Sequence, residues 1–209
     1  MVNKLLLTGF GPFLNFRYNP SGAVAKEFDG RIFGKCKIVG RVLPVSHGEA
    51  STELTRLMKR ERPEVVIATG LAATKGSIIL ERVAINRFYF VGNTGAVQDE
   101  PLSPLGPAAY FSTLPFSKIR SNLEKAGIPA EYSFWPDTFV SNEVFYTLMD
   151  YAKNNRIKTA GFVHLPLTHA QLIGNKGIHY MAKSSMPSLD EKMERKGIEI
   201  LIKTVVGDR

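Results

Sequence analysis

Three short apolar runs constrain this chain more than any other feature: Lys4 to Thr8, Glu64 to Gly70 and Thr159 to Leu165. A run of this length that stays apolar at consecutive positions suits a strand whose two faces are both covered. Helical signals fall between the runs. Asn19-Pro20 supplies an N-cap and a first-turn proline for a helix to about Phe28. Ser46 is expected to cap a second helix from His47 to Arg62, with apolar or small positions at Ala50, Leu54, Leu57 and Met58 and a stop at Pro63. Such alternation predicts a single three-layer α/β/α domain with a central mixed, mostly parallel sheet. At 209 residues the chain can bury one sizeable core.

The remaining elements follow from similar cues. Cys36 to Leu43 reads as a strand, and Ile78 to Phe90 as another, with Glu81 and Asn86 its unusual members. The stretch from 92 to 107 is rich in Gly, Pro, Asn and Asp and reads as a long loop. A helix is expected from Ser117 to Ala126, ended by Gly127, then a strand from Ala130 to Ser133. A helix beginning near Ser141 should continue through Tyr151, and the last helix should start at Ser188, where Ser188-Leu189-Asp190-Glu191 resembles a capping box, and run to Val205.

Composition excludes several functions. No apolar run approaches the roughly 18 residues of a membrane span, and the start lacks the long apolar region of a signal peptide, so a cytoplasmic protein is expected. The one cysteine, Cys36, lies in a strand pattern and reads as a small buried residue, which leaves no disulfide framework or thiolate metal cluster. The net charge is +8, but the 27 Lys and Arg are scattered, and their densest knot, Lys59-Arg60-Glu61-Arg62, lies where a helix C-terminus favours cations. Without a basic stripe interleaved with aromatics, nucleic acid is not an expected partner. The turn Gly9-Phe10-Gly11-Pro12-Phe13 follows the first strand but lacks the third glycine of a dinucleotide loop, and no phosphate loop occurs elsewhere.

Three places could carry chemistry. Ser141-Asn142 lies at a strand-to-helix junction, where a side chain can face a cleft near the positive helix end. Glu81 interrupts an apolar run and, if buried, needs a partner; Arg82 points to the opposite face of a strand. His164 lies near the end of a buried strand. Each also has a structural reading: a helix-start serine, an ion-pair glutamate and a satisfied core histidine. His47, His169 and His179 carry less context, and the spacing of Glu81, His164 and His169 matches no metal motif.

The order of several segments resembles the pyrrolidone carboxyl peptidase, or type I pyroglutamyl peptidase, family. These are Leu7-Thr8-Gly9-Phe10-Gly11-Pro12-Phe13 with Asn19-Pro20-Ser21, Leu43-Pro44-Val45, and Gly70-Leu71-Ala72 leading to Glu81-Arg82-Val83-Ala84-Ile85-Asn86. Pro107 to Pro115, Ala126-Gly127-Ile128-Pro129-Ala130, Gly161-Phe162-Val163-His164-Leu165-Pro166 and Met186-Pro187-Ser188-Leu189 continue it over nearly the whole chain. The resemblance implies a cytosolic cysteine peptidase that removes N-terminal pyroglutamate, without a cofactor or metal, often as a dimer or tetramer. It puts the catalytic glutamate on Glu81, the histidine on His164 and the nucleophile on Ser141, where the family has cysteine. It also implies an oxyanion site at Ser141 and Asn142, and a substrate pocket with Phe10, Phe13 and Phe139.

Two departures accompany the serine. The Ala-Gly of the family's nucleophile segment is replaced by Pro136-Asp137, and an arginine that follows its glutamate motif has no counterpart in Tyr89-Phe90-Val91. Three readings remain open: a peptidase whose nucleophile has been exchanged, a serine hydrolase using Ser141, His164 and Glu81, and a non-catalytic protein that keeps the aromatic pocket. Phe88 to Val91 are candidates for a pocket wall or an interface between copies.

Overall fold

A computed structural model describes residues 3–13, 16–91, 94–155, 157–174 and 185–207. His179 lies outside the described residues. The principal sheet has seven strands in the order β10-β5-β11-β4-β1-β3-β2. They are β1 (Asn3–Phe10), β2 (Ile32–Phe33), β3 (Cys36–Leu43), β4 (Val65–Leu71), β5 (Ile78–Glu81), β10 (Ala130–Ser133) and β11 (Thr159–Leu165). β1 pairs parallel with β3 and β4, β4 with β11, and β5 with β10. β5 runs against β11, and β2 against β3.

The apolar runs alternate their side chains between two cores. Leu5, Leu7, Ile67, Val163 and Leu165 face α1 (Pro20–Phe28), α3 (Phe116–Lys125) and α6 (Glu191–Val206). Leu6, Val66, Ala68, Ala160 and Phe162 face α2 (Glu49–Glu61) and α4 (Val140–Asn154). A further short helix, α5 (His169–Gly174), follows β11. Both sheet faces are thus covered, as the unbroken apolar runs require. Cys36 is buried and free on β3, as expected.

α1 begins where Asn19 and Pro20 place it: Asn19 accepts the Ser21 N–H, and proline opens the first turn. α3 and β10 also match their expected bounds closely, and Gly127 ends α3 with φ 72°.

Four expectations need correction. The apolar stretch Ile78 to Phe90 is not one strand but three: β5, then β6 (Val83–Ile85) paired with β9 (Ala109–Phe111), and β7 (Phe88–Val91) paired with β8 (Val97–Glu100). The chain leaves the principal sheet at Arg82, whose N–H donates to Ser133 O and whose carbonyl accepts from Ser112. The expected loop from 92 to 107 therefore contains β8.

The second helix starts at Glu49 rather than His47, and Ser46 does not cap it with its side chain. Gly48 takes φ 76° there, and its N–H donates to the remote carboxylate of Glu143. The last helix is capped by Asp190, which accepts from Lys192 and Met193, rather than by Ser188. Backbone bonds from Leu189 to Leu167, and from His169 to Leu189, hold that segment in an extended path until Asp190.

Candidate active site

The antiparallel pairing of β5 with β11 brings the two candidate catalytic residues together. Glu81 lies opposite Phe162, and His164 opposite Ile79, so Glu81 and His164 are diagonal neighbours on one face. Their contact is His164 Nδ1 to Glu81 Oε1 at 2.8 Å. Both are buried. The carboxylate accepts the Nδ1 proton, which leaves Nε2 as the free ring nitrogen. Phe162 meets the imidazole edge-on, with centroids 4.8 Å apart. Gly70 leaves room for the ring on the neighbouring strand: a Cβ there would stand 2.9 Å from His164 Cδ2. The expectation that Arg82 is not the partner of Glu81 holds, since its guanidinium lies over the rings of Tyr132, Phe134 and Phe116.

The aromatic residues are placed by a backbone contact between β1 and α1. Gly9 lies against the Ser21 carbonyl and Gly22 against the Phe10 carbonyl, so closely that a side chain on either glycine would collide with main chain. Ser21 Oγ accepts the Phe10 N–H at 3.0 Å, and Asn19 Nδ2 donates to Gly11 O at 2.9 Å. Phe13 and Phe16 exchange backbone hydrogen bonds. The result is a cavity of about 160 Å³ bordered by Phe10, Phe13, Phe139, Asn19, Asp137 and Ser141. Phe139 packs on Phe13 at 5.7 Å and on Phe90 at 4.7 Å, joining both walls.

Ser141 is the second residue of α4. Glu143 is the first to donate back into the helix, to Phe139 O, so the N–H groups of Val140, Ser141 and Asn142 have no intrahelical acceptor. They form the positive end of the helix beside the cavity. Asn142 contributes only its main chain there. Its buried side chain accepts from Ile85 N and donates to the carbonyls of Ile85 and Arg87 at 2.9, 2.9 and 2.8 Å, pinning the link between β6 and β7.

A second cavity, of about 530 Å³, is bordered by Glu81, His164, Lys75, Glu131, Trp135 and Asp137. Leu71, Ala73 and Asp137 line both cavities, so Ser141 and the Glu81–His164 pair open on adjoining spaces. Asp137 holds φ 64°, a left-handed conformation uncommon outside glycine but tolerated by aspartate. Its Oδ1 accepts the Phe139 N–H at 2.7 Å. Asp137 is exposed by surface area, yet enough protein surrounds its carboxyl group for desolvation to raise its pKa. The Phe139 N–H and His164 oppose that rise, while Glu81 adds to it.

Sequence reasoning missed Asn19, Val45 and Leu71 as cavity residues and did not see Asp137 as the divider between cavities. Asn19 was legible as a helix cap, and the same side chain shapes the aromatic turn.

A match to the family described as pyroglutamyl peptidase spans residues 3–208. The chain belongs to this family. It is 40% identical to a pyrrolidone-carboxylate peptidase of Halalkalibacterium halodurans, covering 97% of this chain and 98% of that protein. It is 35% identical to the corresponding protein of Pyrococcus furiosus, over 98% of this chain and 99% of that one. Among solved structures, a mutant pyrrolidone carboxyl peptidase from P. furiosus superposes with a TM-score of 0.88 at 34% identity, covering 98% of this chain and 99% of that one. The pyrrolidone carboxyl peptidase of Thermococcus litoralis gives 0.89 at 35% identity, with 98% and 94% covered. The family's fold is therefore this chain's fold.

Proposed function

We propose that this family member removes N-terminal pyroglutamate from peptides by acyl transfer. The observation that carries the reading is the buried Glu81–His164 pair at 2.8 Å, opening beside an aromatic cavity that ends at Ser141. A flat, uncharged lactam ring suits a small cavity between Phe10, Phe13 and Phe139, whose faces bury it while nearby main chain meets its amide.

In this reading position 141 attacks the carbonyl that follows the ring. His164 Nε2 takes the proton of the nucleophile and returns it to the leaving amine, while Glu81 holds the imidazole in the tautomer that allows this. The N–H groups at the start of α4 supply the oxyanion site. Serine at 141 weakens the first step, because a hydroxyl is far harder to deprotonate than the thiol for which the arrangement is suited. The proposal needs no cofactor or metal and includes no nucleic-acid partner.

The enzyme is proposed to act in the cytoplasm as a homo-oligomer, a dimer or tetramer. Among the described residues no helix is long and apolar enough to cross a membrane. Tyr89, Phe90, Val91 and Val97 expose apolar surface on the β7–β8 hairpin, which supports an interface there; light scattering of the purified protein tests it.

Release of a fluorophore from a pyroglutamyl amide tests the activity, with the Ser141 protein beside its Ser141→Cys and Ser141→Ala forms. The expected result is robust turnover by Ser141→Cys, weak or no turnover by the serine form and none by Ser141→Ala. A folded Ser141→Cys protein without turnover would overturn the peptidase reading. Binding of pyroglutamate by that inactive protein would then assign the aromatic cavity to ligand capture alone.

A further inference from the structure

The peptidase reading assigns the ring cavity but not the residue that follows the ring. If the scissile carbonyl lies at Ser141 and His164 hands its proton to the leaving amine, the next residue enters the cavity on which His164 opens. The charges of that cavity are unevenly matched. Among the described residues Lys75 is its lysine, and it pairs with Glu131 at 3.6 Å. Ser77 also donates to Glu131. Glu81, which lines the same cavity, is held by His164 through Oε1, while its Oε2 is buried without a hydrogen-bond partner among the described residues.

Asp137 stands at the junction of the two cavities and has no ion-pair partner among the described residues; its Oδ1 accepts the Phe139 N–H. Beside it, Trp135 leaves 64% of its surface exposed. A carboxylate next to an aromatic face is the combination that holds a cationic side chain. In a chain of net charge +8 the described lining of this cleft, with Glu81, Glu131 and Asp137 against Lys75, runs against the overall sign.

We propose that Asp137 and Trp135 form the subsite for the residue after pyroglutamate and select a cationic side chain there. This inference rests on the peptidase reading above. Trp135 is the chain's single tryptophan, so its emission reports occupancy of this cavity directly.

The test titrates the Ser141→Ala protein with three amidated dipeptides, pyroglutamyl-lysine, pyroglutamyl-norleucine and pyroglutamyl-glutamate, and with free pyroglutamate. Tryptophan emission and thermal shift are followed together. The lysine peptide should bind about three- to tenfold more tightly than its neutral isostere, with the glutamate peptide weakest. Asp137→Asn, which keeps the left-handed turn accessible, should bring the lysine-to-norleucine ratio close to one. Asp137→Gly, with no strain at positive φ, should do the same if the asparagine form folds poorly.

Equal binding of all three peptides, or a preference that survives both substitutions, would overturn the subsite while leaving the ring cavity in place. If neither the peptides nor pyroglutamate bind, the peptidase reading fails and the subsite with it.

Discussion

Gly70 has no side chain because the imidazole of His164 occupies the place of one. In Gly70→Ala the new Cβ would meet both His164 and Phe162 at 2.9 Å, and neither neighbour is the free end of a flexible chain. The expected outcome is a stability loss of about 1–3 kcal/mol in urea unfolding, with turnover in the Ser141→Cys background falling by at least roughly tenfold as the ring moves off Glu81. Glu81→Gln asks a different question, because it keeps the shape of the pair but lets the imidazole carry its proton on the wrong nitrogen. Turnover of Ser141→Cys should drop by about two to four orders of magnitude with little change in fold, measured by steady-state kinetics beside circular dichroism. At this scale the sequence marked Glu81 and His164 only as misfits in apolar runs, because a carboxylate and an imidazole in a strand look alike whether they catalyse or pair. Family resemblance alone put them forward as catalytic. The position of Asp137 between two cavities was not legible, since it depends on a left-handed backbone at one residue and on the approach of β4.

The elements show where local pattern stops. β1, β4 and β11 were readable because each is a run buried on both sides by distant helices, and that burial leaves its mark on consecutive residues, while β3 alternates at Cys36-Lys37-Ile38. Ile78 to Phe90 carried a similar mark yet divides into β5, β6 and β7. What divides it is tertiary: Ser133 and Ser112 take up the main chain of Arg82, and Asn142, arriving on α4, fastens Ile85 and Arg87. Asn142→Ala should therefore remove three hydrogen bonds at once, taking its partner from the Ile85 N–H and the Arg87 carbonyl while the Ile85 carbonyl keeps the Arg87 N–H. A loss of about 2–4 kcal/mol is expected from the denaturant midpoint, with faster amide exchange at Ile85 if the link between β6 and β7 opens. A similar remote contact sets the start of α2, where Glu143 accepts from Gly48 and Ser51. No periodicity within residues 46 to 62 contains that information. Removing Asp190, the observed cap of α6, should cost about 1 kcal/mol in Asp190→Ala, read as a lower melting temperature.

Across the whole molecule, stability should depend on pH through a carboxyl group that lines neither cavity of the candidate site. Glu194, on the inward side of α6, is 2% exposed and keeps Oε2 without a hydrogen-bond partner among the described residues. Burial, reinforced by Glu191 and Glu27 and opposed by Arg195, pushes its pKa from 4.5 to about 8. Folding thus favours the protonated form, and the molecule loses stability as pH rises between those two values. The slope has an upper limit of about 1.4 kcal/mol per pH unit. Glu194→Gln should flatten that loss, so its melting temperature should match the parent near pH 4 and exceed it by several degrees near pH 8. The close seating of α1 on β1 through Gly9 and Gly22 acts at this same scale. It rigidifies the aromatic turn when the sheet forms, before any ligand arrives. The entropy of shaping the receptor is then met in folding, and a small ring with few rotors of its own gives up chiefly translational and rotational freedom on capture.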